Sequence, residues 1–493
     1  MQKYKVVSAD KMVEIERLAL ADGCDELEFM EKAGSSIALF VESFLLKRQG
    51  SCLVTLLVGK GNNGGDAYVC GRKLLEKGFT VEAISPYPLE ACSPLCIKQR
   101  KLFIKAGGQV DPIRDLQEGV LVDGLVGTGF KGKAEGVLAE IISLANNSKL
   151  PILSIDIASG VCGSTGKVET VAICADATIY LELPKLGFFL DKGWEHTGSL
   201  VQGTFGLPSK YIEMITPSAF LVVKEGLKSL LPKPSRIQNK YKAGYLLALA
   251  GSKNMMGAGA LVSKAALRSG AGIVRWFYPE GCEEGTALSG ADVIKDSSIP
   301  SLLEEMKRAR ALVIGPGMGR GEEPFQVIRE VLTKCTISSV IDADALFFLS
   351  KNPSFSIPGK SILTPHTGEL KRLLDSCFIE GDLLSSSQKY VEQKQVALLV
   401  KGAPNFLFQP GEIPCILPFG NPGMAKAGTG DVLSGVLGGL LAQEMTIQDA
   451  AILGCFLHGL AGDLVVEEKT LFCLTASDLP EYLPKAFKKT LMN

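Results

Sequence analysis

CLVTLLVGKGNNGGDAYVCGRKLL, residues 52–75, decides how the first half of this 493-residue chain folds. Cys52–Val58 is an unbroken apolar run with the length of one strand, and a run that does not alternate is buried on both faces. Gly59–Asp66 (GKGNNGGD) follows at once, and a helix is expected beyond it, through Leu74 to Lys77. Strand, glycine-rich turn and helix in direct succession open a βαβ unit. The glycines let the backbone turn tightly and approach a ligand, and the helix N-terminus offers free N–H groups to an anion. Asn62, Asn63 and Asp66 add polar groups that a bare phosphate loop does not need. No Gly-Lys-Ser/Thr follows, which excludes a Walker loop.

Outward from this stretch, Val120–Asp123 and Ile152–Ile157 are further apolar strands, each ending on an aspartate and followed by a glycine-containing loop. The spacing predicts a parallel sheet covered on both faces, in which ligands bind at the carboxyl ends of the strands. The loop Gly127–Lys133 (GTGFKGK) follows Asp123 and sets two lysines near its glycines, as a second phosphate cradle would. The loop Asp156–Gly160 (DIASG) puts a carboxylate at a strand end with Ser159 three residues on. Any one of these loops could be a mere connection; three of them at strand ends point to a site.

The pattern loosens between Pro208 and Pro234, and Leu231–Ser235 (LPKPS) has the composition of a boundary. A new alternation starts at Tyr245–Ala250 and runs through Ile273–Phe277, Ala311–Ile314, Ser339–Ile341, Ser361–Leu363 and Val396–Val400. The chain is therefore expected to be α/β throughout, a Rossmann-like three-layer domain at 1–221 followed by a second α/β domain at 222–493. In the second, Asn421–Gly435 (NPGMAKAGTGDVLSG) runs straight into an apolar helix. Amides around Ala427–Gly430 would converge at a helix N-terminus, where negative charge is stabilised. Asp431 beside them could accept a proton from a hydroxyl attacking a phosphoryl group. The competing structural reading is a glycine-rich helix start chosen for close packing. Gly251–Ala260 (GSKNMMGAGA), Gly315–Gly319 (GPGMG), Thr364–Glu369 (TPHTGE) and Lys401–Asn405 (KGAPN) each follow an expected strand. His366 lies in such a loop and is read as a substrate contact, whereas His196 and His458 are read as structural. Met255, Met256, Met424 and Phe347–Phe348 are read as packing.

Composition narrows the function classes. With 52 basic against 53 acidic side chains, the chain is no broadly basic nucleic-acid binder. Its 13 cysteines are odd in number and only Cys92 and Cys96 lie close together, without a zinc pattern around them. Three histidines make a His-rich metal site a poor expectation. The N-terminal apolar stretch carries acids, so no cleavable signal is expected, and Val432–Ala442 falls short of the ~18 residues of a spanning helix. A cytoplasmic protein with reduced thiols, bound to no membrane and no nucleic acid, is the expectation.

The motifs carry a resemblance as well. GKGNNGGD, VDGLVGTGFKGK and DIASG resemble the YjeF N-terminal domain, which epimerises hydrated NADH and NADPH, over essentially all of residues 1–220. The resemblance implies cofactor contacts from Asn62, Asn63, Gly64, Gly65 and Asp66, and from Gly127, Thr128, Gly129, Phe130, Lys131, Gly132 and Lys133. It also implies contact of Asp156 with the hydrated nicotinamide, and potassium ligation by Asn63, Asp123 and Ser159. This sequence departs from the family in having Ala67 in place of glycine and Ala158 in place of proline.

From about Leu231 onward, GPGMG, TPHTGE and MAKAGTGD in this order resemble the ribokinase-like superfamily, in its branch of ADP-dependent NAD(P)H-hydrate dehydratases. That implies nucleotide contacts from Lys401, Gly402, Ala403, Pro404, Asn405 and Gly430, and substrate contacts from Ala258, Gly317, His366 and Asp431. Asp156 and Asp431 are the catalytic candidates. The implied small molecules are the hydrates of NADH and NADPH (NADHX and NADPHX) and ADP, with magnesium as a candidate companion of the ADP, and the implied assembly is a homo-oligomer. Two other classes stay open at this point: a kinase of a vitamin precursor, which would leave the phosphate on its product, and a non-catalytic scaffold built on the first domain.

Overall fold

In the computed structural model of the chain, residues 2–48, 51–113, 115–374 and 382–492 are described. They divide into two compact units, Tyr4–Ala219 and Phe220–Asn493, the latter with Met1–Lys3.

The first unit is built on a seven-stranded sheet in the order Gln109–Asp111, Thr80–Ile84, Leu53–Val58, Val120–Gly124, Ile152–Ile155, Ala177–Leu181, Ser199–Gly203. Every pairing in it is parallel. The apolar run that opened the sequence explains why. Val54, Leu56 and Val58 pack with Tyr68, Cys70 and Phe103 in one cluster, while Leu57, pointing to the other face, is equally buried. A strand with no solvent face needs helices on both sides of the sheet. Strand order reverses between Leu53–Val58 and Val120–Gly124, so their carboxyl ends open a crevice between the Gly59 and Gly127 loops.

One expectation is corrected here. The residues Asn62–Asp66 are not part of a loop ahead of the helix; the helix spans Asn62–Glu76, so NNGGD is its first turn. Glycines are poor helix formers, and packing overrides that propensity. A Cβ on Gly64 would sit 2.3 Å from the Gly59 carbonyl oxygen, and one on Gly65 would sit 2.6 Å from the Met30 methyl. Only glycine lets this turn lie so close to its neighbours. Ala67 is fully buried, and its methyl fits because Gly124 opposite has no side chain.

The second unit carries a mostly parallel sheet. Ser361–Leu363, Ser338–Ile341, Ala311–Ile314, Tyr245–Leu249, Ile273–Phe277 and Ile294–Asp296 follow one another as parallel neighbours. On the other side, Ala397–Val400 joins Ser361–Leu363 in parallel. Beyond it Asn405–Phe408 runs antiparallel to Ala397–Val400, and Cys415–Leu417 runs antiparallel to Asn405–Phe408 in turn. The alternating pattern did not foretell that antiparallel extension. The helix Thr429–Ala442 is buried along its length from Val432. A Cβ on Gly435 would lie 2.3 Å from the Val262 carbonyl oxygen, and one on Gly438 2.4 Å from Val313. The packing role weighed for this glycine-rich helix therefore holds for its later glycines. The helix Ile447–Glu468 is the one described helix long and apolar enough to cross a membrane, and 72% of its apolar window is buried inside the protein.

Candidate active site

In the first unit, a cavity of about 540 Å³ opens at the carboxyl ends of the strands. Asn62, Asn63 and Asp66 line it, as do Gly127–Lys131 and Asp156. Gly64 and Gly65 face inward instead, and Gly132 and Lys133 do not reach the cavity wall, Gly132 serving the turn with a φ of +88°. Phe29, Met30 and Phe205 give the cavity an apolar side against which a flat ring can lie.

Asp156 follows the strand Ile152–Ile155 with a φ of +63°, a left-handed conformation that few residues other than glycine and the Asx pair tolerate. Two groups hold its carboxylate. The Leu181 amide donates to Oδ1 at 3.2 Å, and the Lys185 ammonium donates to the same oxygen. Lys185 is 1% exposed and donates also to the Leu181 carbonyl at 3.0 Å. The motif reading missed this lysine; its signal is a lone cation inside the apolar stretch Ile179–Leu190. Asp66, in the same cavity, has its carboxyl pushed well above the usual range, first by burial and then by the charges of Asp156 and Glu16.

Asn63, Asp123 and Ser159 are brought together behind the cavity. The Ser159 hydroxyl donates to Asp123 Oδ1 at 2.6 Å and the Ser159 amide to Oδ2 at 2.9 Å. Ser154 Oγ and the Leu125 amide complete the set around Asp123. Asn63 Nδ2 donates to the Val126 carbonyl at 3.0 Å, and the Val126 amide donates to Ser159 Oγ at 3.0 Å. Burial raises the Asp123 carboxyl and these hydrogen bonds oppose the shift. Carboxylate, hydroxyl and carbonyl oxygens in contact, with the Asn63 side-chain amide beside them and no ammonium or guanidinium among the described partners of the buried carboxylate, fit a hard cation.

In the second unit the loops after five parallel strands meet on one edge. Lys401 leaves the strand Ala397–Val400 and donates from Nζ to Asp342 Oδ1 at 2.7 Å. Ser434 Oγ donates to the other Asp342 oxygen at 2.7 Å. A Cβ on Gly430 would touch Lys401 Nζ at 3.3 Å, so the lysine lies over the start of the helix Thr429–Ala442. Gly428 caps that helix with a φ of +89°. The Thr429 amide donates to the Lys426 carbonyl at 3.4 Å, while the amides of Gly430 and Asp431, in the first turn of the helix, have no partner within it and can meet an anion.

Asp431 sits in the first turn of this helix, and its carboxyl is raised to about 7. Burial is the chief cause, with the Asp342 charge adding to it and Lys401 opposing it. Among the described residues none makes a hydrogen bond or ion pair with the Asp431 carboxyl. His366 is exposed, next to Lys401 through a parallel bridge, with the Gly368 amide donating to Nδ1 at 3.0 Å. Ala258 and Gly317 adjoin each other: a Cβ on Gly317, whose φ is +63°, would lie 2.9 Å from the Ala258 methyl. Gly402, Ala403 and Pro404 form the turn from Lys401 to Asn405, closed by the Gly402 amide donating to Asn405 Oδ1 at 3.0 Å. His458, read as structural, bonds through Nε2 to the Thr429 carbonyl at 3.0 Å.

Asp342 and Asp344 were missed by the motif reading. Asp342 stands at the end of Ser338–Ile341, the same strand-end position that singled out Asp123 and Asp156 in the first half. Asp344 accepts from the Gly319 amide and from Arg320, tying the GPGMG loop into this site.

Comparison with known proteins joins the two halves. Residues 246–485 match a family described as NAD(P)H-hydrate dehydratase, and residues 26–187 match the YjeF-related protein N-terminus. A bifunctional NAD(P)H-hydrate repair enzyme of Moorella thermoacetica is 32% identical, over 97% of this chain and 96% of its own. That of Escherichia coli is also 32% identical, over 86% and 83%. A ribokinase-like superfamily protein of Enterococcus faecalis superposes with a TM-score of 0.52 at 25% identity, covering 55% of this chain and 96% of that one. The chain, matched along nearly its whole length and by a family model in each half, belongs to the family of bifunctional NAD(P)H-hydrate repair enzymes.

Proposed function

We propose that this chain repairs hydrated nicotinamide cofactors in two steps, interconverting the R and S epimers of NADHX and NADPHX in its first unit and dehydrating the S epimer in its second. The observation that carries this reading is the pair of separate sites, each at the carboxyl edge of its sheet and each holding a buried aspartate paired with a lysine.

Both steps turn on C6 of the hydrated ring, which bears a hydroxyl beside the ring nitrogen. The nitrogen lone pair can expel that oxygen and leave C6 planar, so that water returns to either face. In the first unit Asp156, fixed by Lys185 and the Leu181 amide, would assist departure and return of the oxygen. A positioned acid–base group of this kind contributes typically ~10²–10⁴-fold. Asn63, Asp123 and Ser159 would hold a potassium ion, whose positive charge steadies the anionic part of the cofactor.

In the second unit Asp431 would take the proton of the C6 hydroxyl as the oxygen attacks the terminal phosphoryl group of ADP. A base whose affinity for protons lies near 7 suits that task at neutral pH. Lys401 and the amides at Gly430 and Asp431 would stabilise charge on the transferred group. The ring nitrogen then expels phosphate, a better leaving group than hydroxide, to leave a C6–N iminium, and loss of a C5 proton to the departing phosphate restores the 5,6 double bond, with AMP as the other product. Magnesium would accompany the ADP. The turn Lys401–Asn405 would hold the nucleotide.

The test is a repair assay on an equal mixture of hydrate epimers with ADP and potassium. Restoration of the whole mixture is expected, falling to half when choline replaces potassium over a short assay. A stable phosphomonoester of the substrate in place of free phosphate would instead make the second unit a kinase.

A further inference from the structure

The cavity of the first unit holds a carboxyl that no glycine loop supplies. Glu16 projects from the helix Ala9–Ala21 and lines the same cavity as Asp156, which enters from the end of Ile152–Ile155. Its situation is unlike that of its acidic neighbours. Glu182 is spent on structure, with Oε1 accepting from Thr204 Oγ1 and from the amides of Phe205, Gly206 and Leu207. Glu26 accepts from Asn62 Nδ2 at 2.9 Å. Asp156 is paired with Lys185. Among the described residues, none makes a hydrogen bond or ion pair with the Glu16 carboxyl.

Exchanging a hydroxyl between two faces of one carbon needs two proton-handling groups, one to protonate the oxygen that leaves and one to deprotonate the water that adds. Resting on the epimerase reading of this unit, we infer that Glu16 is a second catalytic residue of the epimerisation, the acid that complements Asp156 as base. In the forward step the Glu16 proton passes to the C6 hydroxyl. The C6–O bond breaks with its electron pair leaving on water, and the nitrogen lone pair forms the C6–N double bond. Water then adds to the opposite face and gives its proton to the Asp156 carboxylate. The net movement is one proton from Glu16 to Asp156, undone by the reverse step or through solvent.

The electrostatics of the cavity agree with this division of roles. Burial raises the Glu16 carboxyl to about 7, with the charges of Asp156, Glu182 and Glu26 adding to the effect and Lys185 opposing it. Asp66 faces Glu16 as well. Two carboxyls in unlike surroundings, one paired with a cation and one not, are the usual means of keeping an acid and a base in one site.

The full-length chain is tested by following R-to-S conversion by proton NMR, without ADP, across neutral pH, with hydrate affinity measured by calorimetry alongside. Wild type is expected to slow as pH rises through about 7. Glu16→Gln is expected to lose ~10²–10⁴-fold in conversion, to lose that alkaline fall, and to keep its affinity for the hydrate. Glu16→Asp, which retains the carboxyl, is expected to keep the fall. Glu16→Gln with wild-type conversion and an unchanged profile overturns the assignment, and so does an alkaline fall abolished by Asp66→Asn instead. A wild-type chain that converts neither epimer is a different failure, one of the epimerase reading itself.

Discussion

The two sites use the same three kinds of group in different arrangements. Each has a buried aspartate paired with a lysine, Asp156 with Lys185 and Asp342 with Lys401, and each has a further carboxyl raised to about 7, Glu16 in the first and Asp431 in the second. In the first site the lysine is locked away at 1% exposure and grips Asp156, the aspartate proposed to meet the nicotinamide. In the second, Lys401 is partly open, lies over Gly430 where an anion would bind, and grips Asp342, a neighbour of Asp431. On the proposed function, the position of one ammonium separates a site that shuffles protons from one that transfers phosphate. A lysine that must meet a phosphate cannot also be sealed around its partner.

The largest effect that probes this contrast is expected from Asp431→Asn. It removes the base and should cut dehydration of the S epimer by ~10²–10⁴-fold or more, with epimerisation and nucleotide affinity retained. Phosphate release measured with pure S epimer reads it. In the wild type that rate is expected to climb as pH rises through about 7, because Asp431 must be deprotonated to act.

Lys185→Met comes next. It leaves Asp156 buried without its cation, and breaking a buried pair costs about 3–5 kcal/mol. Lys401→Met is expected to cost less stability, since that lysine is better hydrated, and more nucleotide affinity. The chain has two tryptophans, Trp194 in the first unit and Trp276 in the second. Denaturant unfolding of Trp194→Phe and Trp276→Phe backgrounds would therefore report each unit separately.

A third expectation concerns His458. Burial lowers its imidazole to about 4 while its Nε2 bonds to the Thr429 carbonyl. The unfolded chain binds that proton more readily, so stability is lost as pH falls from about 6.5 toward 4, by up to ~3 kcal/mol. Trp276 fluorescence on acid titration reads the loss, and His458→Gln should remove most of it. The smallest effect is expected at Ala67, whose replacement by glycine lies inside the helix Asn62–Glu76 and costs about 0.5–1 kcal/mol, with R-to-S conversion unchanged.

What the sequence made legible was the set of glycine-rich strand ends. GKGNNGGD, GTGFKGK, DIASG, GPGMG and MAKAGTGD each announce a backbone close to something, and the parallel sheets place them on common edges. The reading went astray at the start of the Asn62–Glu76 helix, because two glycines argue against a helix unless one knows that Gly59 and Met30 press against them. It also missed Lys185, Glu16 and Asp342. A single lysine or glutamate carries no periodicity and no spacing to its partner; Lys185 and Asp156 are 29 residues apart, and only the fold makes them a pair. Asp342 was within reach of the strand-end rule and was passed over among louder motifs.

One complementation experiment goes to the heart of this account. Pure R hydrate with ADP and potassium is given to full-length Asp156→Asn, to full-length Asp431→Asn, and to the two mixed. Neither variant alone is expected to restore the reduced cofactor faster than the epimers interconvert unaided, whereas the mixture restores it because the S hydrate can diffuse from one chain to the other. Restoration of the R hydrate by either variant on its own would contradict the division of labour between Asp156 and Asp431.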